Sequence, residues 1–114
     1  MKRDYSVYLR DILQSFRNAS QFVEGLSYEK FVTDRKTVSA VIRELEIVGE
    51  ATKQIPASIK KKYPNIPWSD MAGMRDKLIH FYFGVDTEIV WKTIKVRIPE
   101  LELLIQDVLH DLEQ

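Results

Sequence analysis

At 114 residues, 45% of them apolar and 30% charged, the chain has the profile of one compact globular domain spanning 1–114, which excludes a disordered tail and a multidomain enzyme. Seventeen basic residues balance seventeen acidic ones, so net charge offers no argument for whole-molecule attraction to nucleic acid and any RNA contact must rest on a local basic surface. The absence of cysteine removes disulfides, thiolate catalysis and cysteine-bearing metal sites. So short a chain buries only about two-thirds of its unfolded surface, and an active site on it is expected to be shallow or shared between subunits. The opening MKRDYSVYLRDILQ lacks the apolar stretch of a signal peptide and no apolar run approaches a membrane span. A cytoplasmic protein without a membrane contact is therefore expected.

From Asp4 to about Glu24, apolar residues at Tyr5, Leu9, Ile12, Leu13, Phe16, Ala19 and Val23 recur at three- and four-residue steps and predict a helix with one buried face, which Gly25 stops. A short turn or helix follows through Tyr28, Phe31 and Val32. The strongest stripe comes next: Val38, Val41, Ile42, Leu45, Val48, Thr52 and Ile55. Gly49 lies beside that stripe in mid-helix, where it costs about 1 kcal/mol against Ala, and a close helix-helix approach is the physical justification for it.

Pro56, Pro64 and Pro67 bracket a connector, PASIKKKYPNIP, read as a short helical turn carrying Lys60, Lys61 and Lys62. Ser69 or Asp70 then caps a helix running through Met71, Met74, Leu78 and Ile79 to the aromatic cluster near Phe83, with Gly84 as its stop. A last helix begins near Asp86 or Thr87 and continues through Ile94, Ile98, Leu101, Ile105 and Val108 to Leu112, with Pro99 predicted to kink or restart it. These elements amount to an all-α, antiparallel helical bundle of four main helices plus short helical turns.

The stretch GMRDKLIHFYFG concentrates most of the chain's chemical potential. Asp76 and His80 are four apart and share a helical face, so Asp76 is placed to orient the imidazole, while Arg75 and Tyr82, seven apart, share a neighbouring stripe. Arg75 and His80 are five apart, about 140° around an ideal helix, and one regular helix does not aim both at a single phosphate. A two-fold dimer would bring both residues from two subunits around one groove; fraying of the helix near Gly84 is the competing route.

Such a set suits metal-independent RNA cleavage by attack of the ribose 2′-hydroxyl on the adjacent phosphorus. Histidine, with an unperturbed pKa of about 6.5, serves as base or acid near neutrality, and the arginine fork stabilises the charged phosphorane. The plainer readings are an imidazole at a helix end acting as a hydrogen-bonder or dipole partner, Arg75 as an ordinary ion-pair residue, and Phe81, Tyr82 and Phe83 as packing. Lys60 to Lys62 read as a solvated face and His110 as a surface residue. His80 and His110 share no ligand set, so neither a metal nor any other cofactor is expected.

Arg75, His80 and Tyr82 form the pattern Arg-x4-His-x-Tyr. With the stretches EGLSYEKF, RELEIVGEATKQIP, KYPNIPWSDMAGMRD and HFYFGVDTEIVW in the same order, the chain resembles the HepT-like ribonuclease toxins of the HEPN superfamily. The resemblance covers nearly the whole chain. It implies a HEPN-like homodimer with Arg75 and His80 of both protomers lining an RNA cleft. It also implies a partner, an MntA-type minimal nucleotidyltransferase acting as antitoxin by transferring AMP from ATP onto Tyr82. Asp76 stands where such motifs commonly have Asn, and Phe81 where a small residue is frequent. The alternative in a different class is a non-catalytic helical adaptor that binds nucleotide or a nucleotidyltransferase through Arg75 and Tyr82. A plain structural helical dimer is the third reading.

Overall fold

The structure is a computed structural model that describes residues 5–74, 76 and 86–114. Among these residues the helices are, in chain order, α1 (Ser6–Phe22), α2 (Tyr28–Thr33), α3 (Arg35–Gln54), α4 (Ala57–Lys62), α5 (Trp68–Ala72), α6 (Thr87–Lys92), a π-helical turn (Thr93–Arg97) and α7 (Ile98–Leu112). No strand occurs among the described residues, and none of their helices is long and apolar enough to cross a membrane.

On α1 the predicted stripe is the buried face: Leu9, Ile12, Phe16 and Ala19 are fully enclosed. The helix ends at Phe22, short of the expected Glu24, because Val23 to Gly25 form the turn. Gly25 adopts φ 80°, a conformation open to glycine without the Cβ penalty. Ser27 caps α2 by accepting the Lys30 amide at 3.2 Å, and Phe31 in that helix is wholly buried.

Asp34 caps α3, accepting the backbone N–H of Thr37 at 3.1 Å and its hydroxyl at 2.6 Å. These two hydrogen bonds, the hydroxyl's foremost, hold the Asp34 carboxyl below its ordinary value of 3.8. A pKa lowered by folding stabilises the native state fully above the unfolded-state value, and the contribution fades as pH falls through the lower folded-state value. Asp34→Ala is therefore expected to lower the thermal midpoint at pH 7, with the gap to wild type closing below about pH 4, as melts followed by circular dichroism across that range will show.

Polar contacts fix the helix directions. Asn18 of α1 donates to Glu44 of α3 at 3.2 Å, while Tyr8 and Asp11 share a surface crevice with Ala51 and Gln54, so α1 and α3 run antiparallel. Arg10 pairs with Glu113 and Arg17 with Glu102, which makes α1 and α7 antiparallel as well. The shared core includes Phe16, Leu45, Met71, Ile98 and Ile105. Trp91 of α6 meets Tyr28 and Phe31 of α2 at ring-centroid distances of 5.8 and 5.1 Å, which ties α6 to the α2 end of the bundle.

Two local predictions need correction. The fifth helix takes Pro67 as its N-cap with no side-chain cap, not Ser69 or Asp70, and it stops at Ala72, with Gly73 in a turn, instead of running on unbroken towards Phe83. The buried Trp68 sets that start, because its indole N–H donates to the Tyr63 carbonyl at 3.0 Å, and a proline at the entrance loses no helical hydrogen bond. Pro99, expected to kink or restart the last helix, sits in the first turn of α7 directly after the π turn, so the α-helical pattern does restart there. The backbone stays helical through Arg97 (φ −75°, ψ −44°) and Ile98 (φ −58°, ψ −45°). The Ile98 N–H reaches back five residues to the Thr93 carbonyl. A proline removes one i→i−4 bond and crowds the carbonyl four residues earlier, and the wider turn in front of Pro99 accommodates both effects without breaking the helix.

Candidate active site

Arg75, His80 and Tyr82, together with Phe81, lie outside the described residues. Of the predicted site residues Asp76 is described, helical and exposed. The structure defines the frame that holds both ends of the motif segment. At its entrance Met71 and Met74 are buried in the core. At its exit Asp86 caps α6 by accepting the amides of Glu88 and Ile89, each at 3.1 Å, and Val90 is fully buried.

Gly49 determines how closely the entrance packs on α3. A Cβ built there meets the carbonyl oxygen of Ala72 at 3.1 Å and that of Met71 at 3.6 Å. The close approach expected from the sequence is thus a backbone contact at the last residue of α5, three residues before Arg75. Thr52, one turn on, is fully buried and donates its hydroxyl to the Val48 carbonyl at 2.7 Å, so its polar group is satisfied within α3.

Beside the seam runs a groove bordered by Glu46, Gly49, Glu50 and Lys53 of α3, by Ala72, and by Asp76. The four α3 residues recur at three- and four-residue steps and so share one face. Three carboxylates and one ammonium give this wall negative potential, which favours holding a guanidinium or imidazolium and disfavours a free phosphate. Asp76 is legible in the sequence beside the motif, whereas Glu46, Glu50 and Lys53 are not. Their signal was present as polar residues at helical spacing around Gly49, a pattern that also describes any solvated helix face.

The basic run behaves as a helix end. Lys60, Lys61 and Lys62 occupy the last turn of α4, where positive charge complements the helix dipole, and the Lys62 ammonium lies 5.7 Å from the Tyr63 ring centroid. Tyr63 donates its hydroxyl to Asp111 at 3.1 Å, and desolvation, with Asp111 adding to it, pushes the phenol pKa up. His110 is exposed on the last turn of α7, beside Gln114. Among the described residues no group of His, Cys, Asp or Glu is placed to hold a metal ion.

An all-helical bundle whose α5–α6 segment carries Arg-x4-His-x-Tyr is a HEPN-type domain. The chain belongs to the family described as Ribonuclease HepT-like, which matches residues 12–108. It is 51% identical to "Probable ribonuclease HepT" of Thermococcus cleftensis over 90% of this chain and 93% of that protein. It is 47% identical to a "Putative RNase" of Methanocaldococcus jannaschii over 99% of this chain and 97% of that one. A protein of Methanocaldococcus jannaschii described as "Gamma-glutamylcyclotransferase and putative RNase" matches at 38% identity over the whole chain, which covers 51% of its length. No solved structure matches.

Proposed function

We propose that residues 1–114 act as one HepT-like unit, a metal-independent endoribonuclease that cleaves RNA in a cleft shared by two protomers. The observation that carries this reading is the family match over residues 12–108, joined to the Arg75-x4-His80-x-Tyr82 spacing within it. His80 takes the proton of the attacking 2′-hydroxyl or returns one to the leaving 5′-oxygen. Arg75 stabilises the charge that accumulates on the phosphorane oxygens. Asp76 orients His80 beside the acidic face of α3. The separation of Arg75 and His80 by about 140° on a helical wheel is the reason for a homodimer, in which each protomer supplies the group that the other aims away. Two histidines then divide the base and acid roles.

The setting of this activity is a toxin-antitoxin module in the cytoplasm. The partner is a minimal nucleotidyltransferase of the MntA type that inactivates the toxin by transferring AMP from ATP onto the hydroxyl of Tyr82, with loss of pyrophosphate. The added phosphate lies along the stripe of Arg75 and occupies the place of a substrate phosphate. Incubation with ATP and the neighbouring nucleotidyltransferase is expected to add whole AMP increments to the intact mass and to abolish RNA cleavage. A Tyr82→Phe protein that still gains the increment removes Tyr82 as the acceptor.

A further inference from the structure

A second groove lies at the entrance to the motif segment, beside Met74. One wall is the end of the α5 region, with Asp70 at the rim and Met71 and Met74 below; the other is Ile89, Thr93, Arg97 and Leu101. The second wall has an unusual origin. On an α-helix a stripe of every fourth residue drifts by about 40° per step and soon turns off any one face. The π turn from Thr93 to Arg97 has roughly 4.4 residues per turn, so its four-residue step rotates the opposite way by about 30°. The drift on either side is thereby reversed, and four side chains at four-residue spacing face one groove. The Thr93 hydroxyl donates to the Ile89 carbonyl at 2.8 Å, holding the turn where the helix widens.

We infer that this groove is a nucleobase subsite of the ribonuclease, receiving an unpaired base of the RNA strand next to the scissile phosphate. The inference rests on the proposed function. The floor fits a flat, weakly polar ring: two methionines that adapt to aromatic faces, Leu101, and Ile89, a large apolar residue left 44% exposed. Arg97 supplies a planar cation of the kind on which bases of single-stranded RNA stack. Its contact with Glu100 at 3.4 Å is an exposed ion pair, weak enough to leave the guanidinium plane available. Charges of opposite sign at the rim, Asp70 and Arg97, suit the donor and acceptor edges of a base better than a phosphate. Met74 precedes Arg75 directly in the chain, which links the groove to the residue proposed to hold the phosphate.

Ile89 and Arg97 are exposed, and truncating either leaves the core intact. A pool of single-stranded RNA of random sequence is digested by wild type, Ile89→Ala and Arg97→Ala, and the ends at the cuts are sequenced. Each variant is expected to raise KM about tenfold with kcat held, and to flatten the base bias beside the cut. Val96→Ala, on the same π turn, 57% exposed and outside the groove, is expected to behave as wild type. Unchanged KM and bias in both groove variants overturn the inference. Binding of a fully 2′-O-methylated strand, read by fluorescence anisotropy, separates this outcome from a failure of the ribonuclease reading. Wild type that binds the strand and cuts no RNA ends that reading, and the groove then stands or falls on whether the two variants lose about tenfold in affinity. Binding of AMP that both variants abolish, beside strand binding that neither alters, makes the occupant a free nucleotide and overturns the assignment to RNA.

Discussion

His80→Ala is expected to lower the rate of RNA cleavage by roughly 10²- to 10⁴-fold, the usual contribution of a positioned general acid or base, while leaving the helical content and thermal midpoint close to wild type. Arg75→Ala is expected to cost about 10²- to 10³-fold through lost stabilisation of the phosphorane. If the site is split across a dimer, mixing the two inactive variants restores part of the activity. A heterodimer holds one intact Arg75 and one intact His80, and these face the same phosphate in one arrangement of the cleft. Subunit exchange followed by an RNA assay measures this. Equal residual cutting in wild type, Arg75→Ala and His80→Ala identifies a contaminating nuclease.

The second large effect lies at Gly49, whose close neighbours are the backbone carbonyls of Met71 and Ala72. Alanine there gains about 1 kcal/mol of helix propensity but sets its Cβ 3.1 Å from the Ala72 carbonyl oxygen, so the two effects oppose. Valine adds two methyl groups with a restricted χ1 against a backbone that has no side chain to move aside. Gly49→Val is expected to cost about 1–3 kcal/mol, typical of overpacking, or about 4–12 °C in Tm for a chain of this length. Activity should fall further than stability alone explains. Ala72 leads through Gly73 and Met74 into Arg75, and a displacement of about 1 Å in a catalytic group costs on the order of 10²-fold. Cleavage assayed well below the variant's melting temperature separates the two. A Gly49→Val protein that is destabilised yet fully active removes Gly49 as the spacer that positions the motif.

The sequence displayed the bundle wherever burial repeats with the helical period. Leu9, Ile12, Phe16 and Ala19 announced α1, and Val41, Leu45, Val48 and Thr52 announced α3, because each stripe faces one core and nothing else competes for it. Gly49 was legible for the same reason, as a residue with a cost that only a close neighbour justifies. The start of α5 was not, since the capping preference of Ser69 and Asp70 is local, whereas the indole bond from Trp68 to Tyr63 depends on how the connector folds back. The π turn was hidden too. Pro99 signalled a disturbance, but whether a helix breaks, kinks or widens depends on what its buried neighbours, Ile94 and Ile98, gain by staying in the core.

The candidate site divides along similar lines. The residues proposed for the chemistry and its control stand in the sequence as Arg75, His80 and Tyr82, because reactive types are few in this chain and cluster there. The residues that shape their surroundings, Glu46, Glu50 and Lys53 on one side and Ile89, Thr93 and Arg97 on the other, are of types found on any helix surface. Tertiary placement against Asp76 and Met74 gives them significance.

The central claim, cleavage by the 2′-hydroxyl with His80 and Arg75, is tested most directly by the chemistry of the cut. Purified protein in excess chelator is given an RNA strand and the same strand with a single 2′-deoxyribose on the 5′ side of the cleaved bond. The account predicts that the RNA is cut to a 2′,3′-cyclic phosphate and a 5′-hydroxyl, and that the deoxy substitution abolishes cutting at that bond. Cleavage that persists at the deoxy position, or that requires a divalent cation, contradicts it.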